Sequence, residues 1–139
     1  MTDMASACLV GTDCRWDGES KPDSKLTERF YAGEIIPFCP ETVAGLGVPR
    51  SRMEITGTGD GILDGDGSVR NEEGEDKTAE MINSAKKIAA FASIIKPSLI
   101  FLKSKSPSCG IKTEGIYGTP VGVTAALLQR EGFRLEEIG

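Results

Sequence analysis

The sequence contains no histidine. That absence removes the commonest metal ligand and the commonest general base together, so any proton transfer falls to Glu, Asp, Lys, Tyr, Cys or water. No apolar run approaches the length that spans a bilayer. The opening Met1-Thr2-Asp3-Met4 lacks the basic and apolar regions of a signal peptide, and a cytoplasmic protein without a membrane partner is expected. Positive charge is in deficit, 16 Lys and Arg against 21 Asp and Glu, for a net charge of −5. That balance argues against nonspecific binding to nucleic acid, although a small anion can still be met locally. No repeat, linker or low-complexity tract divides the 139 residues, which predicts one domain over residues 1–139, large enough to bury a core without staples.

What the chain does have is four cysteines, Cys8, Cys14, Cys39 and Cys109. In a chain of this kind they suit metal binding or catalysis better than disulfides. None forms a C-x-x-C pair, so the paired knuckles of a zinc ribbon and the thioredoxin-like redox motif are both missing.

The run Leu99-Ile100-Phe101-Leu102 reads as a short buried strand after Lys96-Pro97. It leads into a loop, Lys103-Ser104-Lys105-Ser106-Pro107-Ser108-Cys109-Gly110, dense in side chains that do chemistry. Earlier in the chain, residues 4–11 are small and apolar, a first strand ending near Cys8. Ser24 caps a helix through Phe30, with Leu26, Phe30 and Tyr31 on its buried side and Gly33 at its stop. Ile35-Ile36-Pro37-Phe38 is a second strand whose proline marks a strand end or a sheet edge. Met53-Glu54-Ile55-Thr56 alternates like a half-exposed strand, and residues 57–67, rich in Gly and Asp, read as a hairpin with Ile62-Leu63 as one arm. Asp64-Gly65-Asp66-Gly67-Ser68 is not a calcium loop, because Val69 stands where an EF-hand needs glycine and no helix precedes it.

The longest helix starts at Asp76 or Thr78 and runs to about Lys96. Met81, Ile82, Ala85, Ile88, Ala89, Ala92 and Ile95 give it one continuous apolar face. Pro97 ends it. Thr119-Pro120 opens another helix, Gly132 closes that helix, and residues 133–136 form a last strand. Strands alternating with helices predict an α/β protein. The expected form is a small Rossmann-like domain with a mostly parallel sheet covered by helices, plus a short hairpin insertion. In that arrangement Cys8, Cys39 and Cys109, each beyond a strand, meet at one edge of the sheet.

Three thiols without histidine suit iron–sulfur or zinc, and three ligands on a four-position site leave one position open for catalysis. Glu41, two residues beyond Cys39, is either a general base or an acid capping the next short helix. Ser106 and Ser108 donate hydrogen bonds to a substrate or metal group, or merely satisfy their own loop. Lys103 and Lys105, with the N-terminus of the helix at Pro120, can hold an anion or stand solvated. Asp17 is the next candidate base, and with Lys103, Lys105 and Ser108 it completes the candidate substrate-binding set.

Six motifs occur in order. They are Ser6-Ala7-Cys8-Leu9-Val10-Gly11, Cys14-Arg15-Trp16-Asp17-Gly18, Cys39-Pro40-Glu41, Gly74-Glu75-Asp76, Ser106-Pro107-Ser108-Cys109-Gly110 and Gly122-Val123-Thr124-Ala125-Ala126-Leu127. Together they span nearly the whole chain and resemble a small bacterial family, some members of which are thiouracil desulfidases. The resemblance implies a Rossmann-like domain holding a [4Fe-4S] cluster through Cys8, Cys39 and Cys109, with Glu41 as acid/base and Ser106 as active-site serine. It also implies a small thiolated pyrimidine as partner, thiouracil or thiouridine monophosphate, desulfurated without redox change. Cys14 belongs to a family motif without a transferable role, and residues 49–55 follow the family's proline-rich segment only loosely. The rival class is a noncatalytic zinc- or nucleotide-binding protein. A third, a thiol redox protein using Cys8 and Cys14, is disfavoured by their spacing.

Overall fold

The computed structural model describes residues 2–104 and 122–139. Strand β1, Asp3–Ser6, is buried along its whole length. It ends sooner than the apolar pattern suggests. Residues Ala7–Val10 wind into a tight 3-10 turn closed by Gly11 in left-handed backbone, so Cys8 lies in the turn rather than on the strand. Small apolar residues fit a buried turn as well as a strand, and composition alone does not separate the two.

Helix α1, Ser24–Tyr31, is capped by Asp23 rather than Ser24, whose expected role moves one residue upstream. The Asp23 carboxylate accepts the Leu26 N–H at 3.1 Å. Leu26 is buried, but Tyr31 is 81% exposed and does not belong to the buried side. Four positions along a helix return to the same face and five do not, which separates Phe30 from Tyr31. Strand β2, Ile35–Phe38, is followed directly by helix α2, Pro40–Val43, with Cys39 at the N-cap position and Pro40 in the first turn.

Strands β3, Met53–Gly57, and β4, Gly67–Asn71, pair antiparallel in register from Met53↔Asn71 to Gly57↔Gly67. The segment between them is not a simple turn. Thr58 Oγ1 accepts the Gly61 N–H at 3.0 Å and starts helix α3, Gly59–Leu63. Ile62 and Leu63 are therefore helical and not a hairpin arm, and Ile62 is driven into the core. Helix α4, Thr78–Ile95, buries Met81, Ala85, Ile88, Ala89 and Ala92 as the periodicity predicts. Strand β5 is Ile100–Lys103 and helix α5 is Val123–Arg130. The N-cap of α5 is Gly122, so the helix expected from Pro120 begins at Val123, while Thr119 and Pro120 lie outside the described residues. Strand β6, Leu135–Ile138, starts two positions after the expected Phe133, because Leu135 is the residue that pairs with Ile100.

The main sheet has the order β2-β1-β5-β6 and every pairing in it is parallel. β2 is an edge strand, which accommodates Pro37 and its missing N–H. Helices α4 and α5 cover one face through Met4, Ile88, Ala92, Ile100, Leu102 and Leu128. Helix α1 and the turn after β1 cover the other through Ala5, Leu9, Leu26, Ile35 and Phe101. The β3–β4 insertion and α3 close the end of α4 through Ile62, Val69 and Met81. This is the α/β fold with a parallel sheet and a hairpin insertion that the alternation of strands and helices predicts. Among the described residues no helix is long and apolar enough to cross a membrane.

Lys96, the C-cap of α4, holds left-handed backbone at φ 54°. A β-carbon in that region costs about 1–2 kcal/mol. The greater unfolded-state freedom of glycine offsets roughly 0.5–1 kcal/mol of that. Lys96→Gly should therefore raise stability by about 0.5–1 kcal/mol, seen as a higher urea midpoint at unchanged slope.

Candidate metal and catalytic site

Because β1, β2 and β5 are parallel, their carboxyl ends share one edge of the sheet. β1 and β5 are neighbours there, and the helices that follow them, α1 and α5, lie on opposite faces of the sheet, the arrangement at which open α/β sheets bind ligands. Beyond β1 lies Cys8, beyond β2 lies Cys39, and beyond β5 lies Ser104. Lys103 N–H donates to Ser6 Oγ at 3.1 Å and ties the ends of β5 and β1 together.

Cys8 and Cys14 are buried and Cys39 is partly so, all three as free thiols. They belong to one apolar cluster. The loop carrying Cys14 folds back on the turn after β1. Lys21 N–H donates to the Cys8 carbonyl at 3.0 Å and Asp23 N–H donates to the Leu9 carbonyl at 2.8 Å. Cys39 Sγ in turn donates to the Cys14 carbonyl at 3.8 Å. Cys8, Cys14 and Cys39 thus share one apolar cluster at this edge, and Cys109, the thiol expected there with Cys8 and Cys39, lies outside the described residues.

The three thiols differ in acidity. A hydrogen bond between the Cys14 and Cys39 side chains, in which the Cys39 sulfur accepts, outweighs burial and, with hydrogen bonds from Thr42, lowers the Cys39 pKa. The Cys14 thiol, the donor in that side-chain bond, is raised by it and by burial. Burial raises Cys8, against the attraction of Arg15 and Lys103. The first thiolate therefore forms on Cys39. Lys103 itself is pushed below the usual amine range by burial and by Arg15, and its Nζ donates to Ser104 Oγ at 3.1 Å. Arg15, Lys21 and Lys103 together make this edge cationic in an acidic protein.

Glu41 lies in the first turn of α2, but its carboxylate has a partner that neither reading of it named. Arg50 donates through Nε to Glu41 Oε2 at 2.9 Å and through Nη2 to the same oxygen. The pair is nearly out of solvent, the Arg50 and Glu41 side chains being 6% and 12% exposed. Arg50 Nη1 donates to the Gly47 carbonyl at 2.8 Å, and the Arg50 N–H donates to the Trp16 carbonyl at 2.8 Å. The sequence pattern does not single out Arg50, which shares a turn-rich stretch after Cys-Pro-Glu with Arg52. Beside it opens a cleft of about 410 Å³ lined by Leu46, Arg50, Ser51, Glu73 and Lys77 among others. Ser51 Oγ reaches both Glu73 carboxylate oxygens at 2.6 Å across that cleft.

Of the other expected residues, Asp17 is exposed and closes a turn, its Oδ1 accepting the Glu19 N–H at 3.0 Å. Trp16 is 38% exposed with the Arg52 guanidinium 5.3 Å from its ring centroid. Lys105, Ser106, Ser108 and Cys109 lie outside the described residues. Among the described residues no group of three or more ligand side chains is arranged to hold a metal ion. The donor set nevertheless fits an iron–sulfur group. Soft thiols stand on separate elements at one sheet edge, one is predisposed to the thiolate form, and cationic side chains surround them.

The acidity order has a direct consequence in metal-free protein. Iodoacetamide at neutral pH should alkylate Cys39 before Cys8 and Cys14, as read by peptide mass spectrometry. The Cys39 rate should level off below the ordinary thiol range as pH rises, while Cys8 and Cys14 react only above it.

A family model described as 2-thiouracil desulfurase matches residues 4–137. The uncharacterized protein YbbK of Bacillus subtilis (strain 168) is 35% identical over 139 residues, covering 95% of this chain and 92% of that protein. The solved structure of a [4Fe-4S]-dependent thiouracil desulfidase, TudS, superposes with a TM-score of 0.81 at 32% identity. That likeness covers 98% of this chain and 89% of the other, so it extends over the sheet, its helices and the hairpin alike. With a match over almost every residue and a relative of equal extent, the chain belongs to the 2-thiouracil desulfurase family.

Proposed function

We propose that this protein is an iron–sulfur-dependent desulfidase that converts a thiolated pyrimidine, thiouracil or thiouridine monophosphate, to its oxygen counterpart. The observation that carries this reading is the meeting of Cys8 and Cys39 at the carboxyl edge of the sheet. Glu41 follows Cys39 by two residues and is held by Arg50. Family membership and the [4Fe-4S] dependence of TudS support it. Cys8, Cys39 and Cys109 would hold a [4Fe-4S] cluster, which when bound supplies a Lewis-acidic iron with affinity for sulfur.

The chain's own residues do the rest. Water adds its oxygen to the ring carbon, the carbon–sulfur bond breaks, and the two protons of that water leave with the sulfur as hydrogen sulfide. No electrons are gained or lost overall. In a chain without histidine, Glu41 is the group near the thiols suited to take a proton from that water and return it to the ring nitrogen or departing sulfur. Burial of the Glu41–Arg50 pair keeps bulk water from competing for that proton. Ser106 donates a hydrogen bond to the reacting group. Asp17, Lys103, Lys105 and Ser108 orient the substrate, and the cationic edge at Arg15, Lys21 and Lys103 suits an anionic one.

Anaerobically reconstituted wild-type protein should be brown and release sulfide from thiouracil or thiouridine monophosphate. Glu41→Gln at matched iron content should lose about 10²–10⁴-fold in rate, the scale of general acid–base catalysis. A colourless, zinc-loaded protein that turns over neither compound would return the reading to a noncatalytic metal-binding protein.

Three ligands leave the open position that catalysis needs, so Cys14 lies outside the ligand set. Cys14→Ser should retain full iron content and visible absorption, whereas Cys8→Ser and Cys39→Ser should lose both.

A further inference from the structure

Arg50 ties Glu41 to the loop of residues 11–23. From Cys39 the chain runs two residues to Glu41, whose carboxylate receives Arg50. The Arg50 N–H reaches the carbonyl of Trp16, two residues beyond Cys14, at 2.8 Å. None of these links needs a proton on Cys39, so they hold equally when that thiol is a metal ligand. The carboxylate is thereby tied to both segments that carry Cys14 and Cys39. Arg50 is the side-chain fork in this link, with Nε, Nη1 and Nη2 all engaged, and its side chain is only 6% exposed.

Stability alone does not account for such a pair. Two charges withdrawn from water are often no more stabilising than an apolar pair of the same volume, and what a buried pair can add is a unique geometry. Arginine is suited to that purpose because its planar fork fixes direction, whereas a lysine ammonium is a point charge on a flexible stem. We propose that Arg50 is the positioning residue for Glu41, setting the orientation of its carboxylate toward the reacting carbon. The inference rests on the acid–base role given to Glu41 above.

Reconstituted Arg50→Lys, which keeps the charge and loses the fork, tests this against wild type at matched iron content. A misplacement of about 1 Å can cost about 10²-fold, and a fall of that order is expected in kcat, with KM, iron content and thermal midpoint unchanged. Because Arg50 acts through Glu41, the double variant Glu41→Gln/Arg50→Lys should be no slower than Glu41→Gln alone. Wild-type kcat in Arg50→Lys overturns the proposal, as does a loss that adds to that of Glu41→Gln. A loss confined to KM, or one that tracks the thermal midpoint, also overturns it, since Arg50 would then only be building the loops. Should Arg50→Lys lose its iron, Arg50→Gln is read in the same way, and iron loss in both variants overturns the proposal. Wild-type turnover by Glu41→Gln instead defeats the acid–base reading of Glu41. Loss in Glu41→Gln with wild-type kcat in Arg50→Lys defeats the positioning role alone.

Discussion

The parallel pairing of β1 between β2 and β5 is the constraint on which the rest of the molecule depends. β1 is buried on both faces, so its backbone groups can be satisfied only by neighbouring strands. Side chains reinforce the pairing at both ends. Asp3, itself buried, accepts the Leu99 N–H at 3.0 Å through Oδ1 and the Arg29 guanidinium at 2.8 Å through Oδ2, joining β1, α1 and the start of β5. Ser6 does the same for β1 and β5 at the other end. Leaving Asp3 without these partners would strand a charge in the core, which makes the arrangement specific as well as stable. Parallel strands all finish on one side. The residues that follow them therefore meet whatever their distance in sequence.

The reactive groups lie in turns and short loops past the strand ends rather than in the sheet. Such segments carry few apolar contacts of their own and rely on hydrogen bonds to neighbours for definition. The loop of residues 11–23 is bonded to the turn after β1, and residues 44–52 are bonded back to it through Trp16 and Arg50. Each loop thus defines the other, and Glu41 and Cys39 lie where they meet.

Charge is distributed against the average of the chain. A protein of net charge −5 sets Arg15 and Lys103 beside Cys8 and withdraws Lys103 far enough from water to weaken its proton affinity. In a partly buried setting such charges act more strongly than on the surface, because less solvent screens them. The side-chain hydrogen bond between Cys14 and Cys39 lowers one thiol and raises the other, while burial raises Cys8. Net charge excludes classes of partner. The local field shapes the chemistry at the site.

Sequence alone determined the class of fold, the long helix, the edge strand with Pro37 and the juxtaposition of Cys8 with Cys39, because each follows from local periodicity or from the parallel rule. Its boundary errors share one origin. A turn at Ala7–Val10, a cap at Asp23 and a helix at Gly59–Leu63 compete closely with the strand, the Ser24 cap and the hairpin arm, and only neighbouring elements tip the balance. Tyr31 falls on the exposed side of α1 for a geometric reason, one residue of helical rotation beyond Phe30. The partnership of Arg50 with Glu41 and the hydrogen bond of Cys39 to the Cys14 loop were beyond reach of any pattern. They join segments that periodicity treats as unrelated turns, and the geometry of a fork or of a thiol against a carbonyl exists only once the folded sheet has brought those turns within hydrogen-bonding distance.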